Sequence, residues 1–120
     1  ALGTMVPDAL ALADTVAKST GKSVGVVNAR FAKPIDVNLL REQAANAKLF
    51  VTMEDAVVTC GFGTAVLEAL NEMGSTAKVV RFGWPDAFVG HATDVKTLRE
   101  ANGLGMKEME ERIVGEWARV

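Results

Sequence analysis

The sequence predicts an α/β protein with three layers, in which helices cover both faces of a parallel β-sheet. The first observation is the stretch from Val24 to Glu54, where a short β-branched run, a helical pattern and a second apolar run follow one another. This order is typical of a βαβ unit, whose two strands run parallel. The second observation is that four apolar runs alternate with helical patterns along the chain.

A first strand is predicted to end in Leu2–Val6. Pro7 suits the first position of a helix because it has no N–H to leave unpaired, and Asp8 complements the positive end of the helix dipole. Apolar residues then recur at helical spacing until Thr20 and Gly21 end the pattern, namely Ala9, Leu12, Ala13 and Val16. Their small size predicts a helix that packs closely on the sheet.

The second and third strands are those of the βαβ unit. Val24–Asn28 is apolar on both sides, as a central parallel strand should be. Pro34 prevents this strand from continuing, and Asp36 is a good N-cap for a helix that carries Leu40, Ala44 and Ala47 on one face. The third strand is predicted over Leu49–Met53.

The second half of the chain predicts one more strand and three helices. Gly61 opens a helix that stops at Gly74 and has an apolar stripe of Val66, Ala69, Leu70 and Met73. The fourth strand is Ala77–Phe82. Asp94 caps a short helix through Leu98, and a last helix over residues 107–118 places Met109, Ile113 and Trp117 on one face.

Length and composition narrow the classes of protein. The chain has 120 residues, 49% of them hydrophobic and 23% charged, with a net charge of −2. These values predict a single globular domain over residues 1–120 and no nucleic-acid partner. No apolar run approaches the ~20 residues of a membrane helix, so no membrane partner is expected. The single Cys60 permits no internal disulfide, which fits a cytoplasmic location.

Candidate binding residues follow the predicted strands. In a parallel sheet, ligands bind beyond the carboxyl ends of the strands. Arg30 and Arg81 lie at or near two of these ends, where they could bind a carboxylate or phosphate. Pairing with Glu54 or Asp86 inside the domain is the plainer interpretation.

The start of the third helix and the residues before it form a second candidate. Gly61, Gly63 and Thr64 could bind an anion at the helix N-terminus, or the glycines could simply let helix and strand approach closely. Glu54 and Asp55 end the third strand, but adjacent strand residues point to opposite faces and make a poor catalytic pair. A capping or interface role is preferred for them.

The remaining candidates give no catalytic set. His91 is the only histidine and could act as an acid–base group or as a hydrogen-bonding partner, of which the second is preferred. Cys60 precedes a helix but has no visible base beside it. Neither a catalytic residue nor a cofactor or metal ligand is therefore assigned to this chain.

Four blocks resemble one enzyme family across nearly the whole chain. They are Val-Asn-Ala-Arg-Phe-Ala-Lys-Pro-Ile-Asp (27–36), Val-Thr-Met-Glu-Asp (51–55), Gly-Phe-Gly-Thr-Ala-Val-Leu-Glu (61–68) and Gly-Trp-Pro-Asp-Ala-Phe-Val-Gly-His (83–91). Their order is similar to that in the C-terminal domain of the 1-deoxy-D-xylulose-5-phosphate synthases. These transferases are transketolase-like and depend on thiamine diphosphate.

The resemblance implies several properties. The fold would be a transketolase C-terminal-domain-like sandwich whose mixed, mostly parallel sheet has five strands, the first of them antiparallel. The full-length enzyme would be a homodimer that joins pyruvate to glyceraldehyde 3-phosphate, for isoprenoid precursors. Thiamine diphosphate and Mg would bind the preceding domains, and this domain would be inactive alone, supporting dimerisation and the active-site wall. Because the chain begins inside an apparent strand, we expect a fragment with that strand truncated.

Two other functions stay open. The β subunits of 2-oxoacid dehydrogenase E1 components share two of the blocks in looser form, and their C-terminal domain docks an acyltransferase core. The acidic last helix, with Glu108, Glu110 and Glu111, could serve such docking. Alternatively, Gly61–Thr64 with Arg30 or Arg81 would make a free-standing small-anion-binding module.

Overall fold

A computed structural model describes residues 1–91 and 93–120 of the chain. The described residues form two strands, five α-helices and one short 3₁₀ turn at Gly3–Met5. In chain order the elements are α1 (Val6–Thr20), α2 (Val37–Ala44), β1 (Leu49–Val57), α3 (Phe62–Glu72), β2 (Lys78–Trp84), α4 (Val95–Ala101) and α5 (Met106–Trp117). The α/β class is confirmed.

The two strands pair in parallel, with α3 as the crossover between them. Leu49 lies opposite Lys78, and the register holds to Met53 opposite Phe82. A bulge then shifts the pairing, so that Val57 lies opposite Trp84. A bulge at a strand end redirects side chains, and here it falls on Glu54 and its neighbours.

The helices lie on both faces of the sheet. On one face, α1 and α5 pack on each other and cover alternate strand residues such as Met53 and Phe82. On the other face, α3 packs on both strands and α2 packs on α3. The three layers predicted from the sequence are therefore present, because each strand alternates its side chains between two helical layers.

The main core lies between the sheet and the α1–α5 layer. Met5, Phe82 and Met109 are among its largest members and are at most 2% exposed. The other buried members are Ala9, Leu12, Val16, Met53, Val80, Leu104 and Ile113. The stripes predicted for the first and last helices supply five of these ten residues.

Two predicted strands are absent from the structure. Leu2–Val6 is wrong as a strand, because Gly3–Met5 forms the 3₁₀ turn and Val6 already begins α1. Val24–Asn28 is wrong as well, since these residues form no regular element. The described residues thus contain two of the five strands that the family resemblance implies.

The hydrogen bonds of Ala1 and Leu2 explain the missing strands. The amino group of Ala1 donates to the Val27 carbonyl, and the Ala29 N–H donates to the Ala1 carbonyl, both at 2.9 Å. This is the pattern of one parallel bridge, and the Leu2 N–H continues it to the Met53 carbonyl of β1 at 2.9 Å. A single bridge does not make a ladder of paired residues. Residues 24–28 therefore lie beside the sheet but do not form a strand.

Helix ends follow the predicted signals closely. Pro7 lies in the first turn of α1, and Gly21 ends that helix with φ of 66°. The Asp36 and Asp94 carboxylates accept the N–H groups of Leu39 and Thr97 at 2.9 and 3.0 Å. These side-chain caps fix where α2 and α4 begin.

Phe82→Ala should lower the free energy of unfolding by about 3–5 kcal/mol, because it removes a buried ring between the sheet and α5. Urea unfolding followed by circular dichroism measures the loss. The matched control is Leu10→Ala, since Leu10 is 54% exposed on α1 and its truncation should change stability little. Equal effects of the two substitutions would contradict this location of the core.

Candidate functional site

The carboxyl end of β1 is where the candidate residues converge. Thr52, Met53 and Glu54 are buried, whereas Asp55 and the two residues after it are exposed. Glu54 points toward α3, while Asp55 binds groups from the α1 side of the sheet and from α4. The expectation that these neighbours face apart agrees with this geometry.

Glu54 closes the N-terminus of α3. Its side chain is 1% exposed, and its two carboxylate oxygens accept the N–H groups of Phe62 at 2.7 Å and Gly63 at 2.8 Å. The N-cap residue of this helix, Gly61, provides no side-chain hydrogen bond. A carboxylate from the neighbouring strand therefore satisfies N–H groups that a helix leaves free and complements the positive end of its dipole.

The glycines at the start of α3 are required because β1 and its Glu54 side chain approach this helix closely. A Cβ atom at Gly61 would overlap the Glu54 carboxylate and the Val57 carbonyl. A Cβ atom at Gly63 would overlap the Thr52 hydroxyl. Of the two interpretations of these glycines, close approach of strand and helix describes the structure, and the N–H groups of Phe62 and Gly63 are already bonded to Glu54.

Arg81 and Thr64 form a small polar cluster beside Glu54. The Arg81 Nη1 donates to the Thr64 hydroxyl at 2.6 Å and to the Val58 carbonyl at 3.3 Å. The Thr64 hydroxyl in turn donates to the Val58 carbonyl at 3.1 Å. Pairing of Arg81 with Glu54 or Asp86 is wrong, since no described carboxylate lies within 4.0 Å of its guanidinium.

Asp55 joins three elements through its hydrogen bonds. Its carboxylate accepts the Trp84 indole N–H at 2.7 Å, the Thr4 hydroxyl at 2.9 Å and the Arg99 Nη2 at 3.1 Å. Arg99 also binds Asp8 of α1 at 2.9 Å. The Trp84 hydrogen bond is the largest cause that holds the pKa of Asp55 below its ordinary value of 3.8, with Thr4 and Arg99 adding to it against the opposing effect of burial.

Thr4, Trp84 and Arg99 are the members of this network that sequence reasoning missed. They lie 51, 29 and 44 residues from Asp55. The one signal in the sequence was Trp84, which stands in the fourth family-like block beside a predicted strand end. Nothing local marks Arg99 as its partner.

Arg30 and His91 are not brought to this cluster. Both are exposed, and none of the side-chain hydrogen bonds of the described residues involves His91 or the Arg30 guanidinium. Arg30 has a left-handed backbone with φ of 59°, and its N–H donates to the Asn28 side chain at 3.2 Å. Neither residue therefore has a partner that would define a site.

Three further observations concern possible binding sites and membrane segments. A cavity of about 680 Å³ lies at the opposite edge of the sheet, between the amino ends of the strands and the C-termini of α2 and α3. Residues 1–91 and 93–120 hold no group of three side chains suited to bind a metal ion. Among the same residues, no helix has the length and apolarity to cross a membrane.

Comparison with known families shows which family the chain belongs to. Residues 1–108 match the family model described as transketolase, C-terminal domain. The chain belongs to this family. A solved split-gene transketolase, described as an inactive β4 tetramer, resembles this transketolase C-terminal domain with a TM-score of 0.81 and 33% identity. The match covers 95% of this chain and 37% of the transketolase chain.

Two curated relatives carry the same name. The 1-deoxy-D-xylulose-5-phosphate synthase of Acidobacterium capsulatum is 39% identical over 112 residues, which are 93% of this chain and 18% of the relative. The synthase of Bordetella avium is 44% identical over 104 residues, which are 87% of this chain and 15% of the relative. This transketolase C-terminal domain therefore spans less than a fifth of the length of these relatives.

Glu54→Gln should lower the free energy of unfolding by about 2 kcal/mol, because one carboxylate oxygen is replaced by an amide that cannot accept an N–H. Thermal and urea unfolding measure the change. Glu72→Gln is the matched control, since this exposed carboxylate lies at the other end of α3, where a negative charge opposes the helix dipole. Equal losses in the two variants would contradict the cap.

Asp55→Asn should remove a pH-dependent part of the stability. Because the folded pKa of Asp55 is depressed, its contribution is present above about pH 4 and is lost as the pH falls through the folded value. The difference in unfolding free energy between wild type and variant, measured from pH 2.5 to 7, should therefore shrink toward acid. Trp84→Phe removes the hydrogen bond that lowers the pKa of Asp55 most, so it should reduce this dependence of the stability difference on pH. A stability difference between wild type and Asp55→Asn that does not change with pH would contradict the lowered pKa of Asp55.

Proposed function

We propose that this chain is the C-terminal domain of a thiamine-diphosphate-dependent 1-deoxy-D-xylulose-5-phosphate synthase. The full-length enzyme joins pyruvate to glyceraldehyde 3-phosphate with loss of carbon dioxide. The observation that carries the proposal is identity of 39% and 44% with two such synthases over 93% and 87% of this chain. A soluble, cytoplasmic homodimer is the form proposed for the whole enzyme.

The domain contributes no cofactor-binding group in this proposal. A diphosphate would need the free N–H groups of a glycine-rich helix start, yet those of Phe62 and Gly63 are bonded to Glu54. Asp55 is likewise engaged by Trp84, Thr4 and Arg99. These groups of the described residues thus do not fit thiamine diphosphate and Mg, which we assign to the preceding domains, and in this proposal the chain alone is inactive.

Exposed aromatic residues support a covering role. Phe31 is 68% exposed and Phe88 is fully exposed, each in a loop beyond the sheet. Exposed aromatic side chains are enriched where another domain or subunit covers a protein surface. We assign these two loops, which also carry Arg30 and His91, to contact with the preceding domains and the second subunit.

The pairing of Ala1 supports the proposal that the domain continues upstream. Ala1 bonds to Val27 and Ala29 on one side, and Leu2 bonds to β1 on the other. A strand running into Ala1 would lie between residues 24–28 and β1 and would extend the single bridge into a ladder. This is the truncated strand of a longer enzyme in our proposal.

A chimeric synthase tests the proposal. The matching 112 residues of the Acidobacterium capsulatum enzyme are replaced by this chain, and formation of 1-deoxy-D-xylulose 5-phosphate from pyruvate and glyceraldehyde 3-phosphate is measured with added thiamine diphosphate and Mg²⁺. We expect a dimeric, active chimera, because the exchanged residues are 39% identical over 112 positions. The isolated chain titrated with thiamine diphosphate and Mg²⁺ should give no binding heat.

Two controls sharpen this test. A chimera with the Bordetella avium domain shows that the junction tolerates exchange. Phe31→Asp with Phe88→Asp should reduce dimerisation and turnover of the chimera while leaving the unfolding of the isolated chain unchanged, since both rings are exposed. A folded chimera that is inactive beside an active Bordetella chimera would overturn the proposal.

A further inference from the structure

Among residues 1–91 and 93–120, no strand lies beside the outer edge of β2. In the described residues β2 pairs only with β1. The Lys78 N–H donates to the Lys48 carbonyl and the Trp84 carbonyl accepts the Val58 N–H, both at 2.9 Å. Because the backbone groups of a strand alternate in direction, the even-numbered residues of β2 face β1.

The odd-numbered residues of β2 therefore turn their backbone groups outward. Val79, Arg81 and Gly83 each present an N–H and a C=O at this edge, and the hydrogen bonds of the described residues outside the β1–β2 ladder include none to these groups. Such a row of donors and acceptors is a template for pairing with another extended chain. Backbone groups of this kind are normally satisfied by a partner or by water.

A cavity of about 430 Å³ follows this edge. Val79, Arg81 and Gly83 line it together with Val58, Phe82, Pro85, Asn102, Gly103, Leu104 and Arg112. The lining includes two guanidinium groups and no carboxylate, although the chain carries 15 acidic and 13 basic residues. Neither arginine has a described carboxylate within 4.0 Å.

The two arginines flank the edge from opposite faces of the sheet. The Arg81 side chain lies on the α3 face, where its Cγ and Cδ would be 3.1 Å from a Cβ at Gly63. Arg112 lies on the α5 face, with its Cζ 5.1 Å from the centroid of the buried Phe82 ring. A hydrogen bond to Thr64 orients the Arg81 guanidinium, and a cation–π contact with the Phe82 ring orients that of Arg112. Both groups are therefore positioned without a bound partner.

We propose that the outer edge of β2 binds an extended acidic segment of another polypeptide as an added strand. Successive side chains of a strand point to opposite faces, so two consecutive carboxylate residues would reach Arg81 on one face and Arg112 on the other. The main chain of the segment would pair with Val79, Arg81 and Gly83. The charge of the two arginines and the hydrogen-bonding pattern of the β2 edge thus both favour an extended acidic segment.

The chemistry of the edge excludes two simpler occupants. A phosphate-like anion has no N–H donors for the outward carbonyl groups, and it would have to span both faces of the sheet. A second copy of this chain would need a free acidic dipeptide. Its two such dipeptides, Glu54–Asp55 and Glu110–Glu111, lie inside β1 and α5.

Binding of a defined peptide tests the inference. The probe is fluorescein-labelled Thr-Val-Glu-Glu-Val-Thr with both ends blocked, and its anisotropy is measured as the 120-residue chain is added. We expect saturable binding, weakened about fivefold by Arg81→Gln or by Arg112→Gln, as for loss of one partly exposed ion pair. The matched control, Lys107→Gln, removes an 82% exposed charge from the same helix as Arg112 and should change nothing.

Amide hydrogen exchange gives a second, independent measurement. Addition of the peptide should protect the N–H groups of Val79, Arg81 and Gly83, whereas a merely electrostatic contact would leave them exchanging as before. A peptide with Gln-Gln in place of Glu-Glu should bind more weakly. If Arg81→Gln does not fold, the inference is still tested by Arg112→Gln, which changes an exposed residue, and by the comparison of the two peptides.

Three results would overturn the inference. They are no binding at millimolar peptide, equal binding of the Glu-Glu and Gln-Gln peptides, and binding without protection of the three amides. Displacement of the probe by pyrophosphate without amide protection would assign the two arginines to a small anion instead. None of these measurements depends on synthase activity, so the inference and the proposed function can fail separately.

Discussion

The buried contact between Glu54 and the start of α3 is the constraint on which the carboxyl end of the sheet depends. A carboxylate at 1% exposure is costly unless hydrogen bonds replace its water, and the N–H groups of Phe62 and Gly63 do so. The contact also stabilises α3, because it places a negative charge at a first turn that otherwise has no side-chain cap. Strand end and helix start are thereby fixed relative to each other.

Glycine at three positions follows from this contact. Side chains at Gly61 and Gly63 would strike Glu54 and Thr52, and a Cβ at Gly83 would lie 3.0 Å from the Glu54 Cγ and 2.8 Å from the Ala56 carbonyl. The bulge of β1 lies at the same place, since the register shifts between Met53 and Val57. The strand thus bends where it must bring its carboxylate beneath the helix.

The sequence predicted those parts of the fold that depend on local pattern. The stripes of α1, α3 and α5 and the apolar runs of β1 and β2 all carry their own periodicity, and Asp36 and Asp94 mark their helix starts. The prediction of a strand over Val24–Asn28 failed because a strand needs a paired neighbour, and among the described residues only Ala1 forms a backbone bridge to this segment. The Asp55–Arg99 pair was missed because residues 44 apart in sequence leave no local sign of their contact.

The two surfaces that we propose as binding surfaces differ in chemistry, and this difference predicts different kinds of partner. The loops with Phe31 and Phe88 present apolar rings, which suit a neighbour that stays in place, because large apolar contacts are typical of permanent interfaces. The edge of β2 presents backbone groups without a hydrogen-bond partner among the described residues, and two arginines whose attraction to an acidic segment weakens with salt. Since Arg81 is also held by Thr64, which packs beside the Glu54 cap, the same contact that fixes α3 positions one side of this edge.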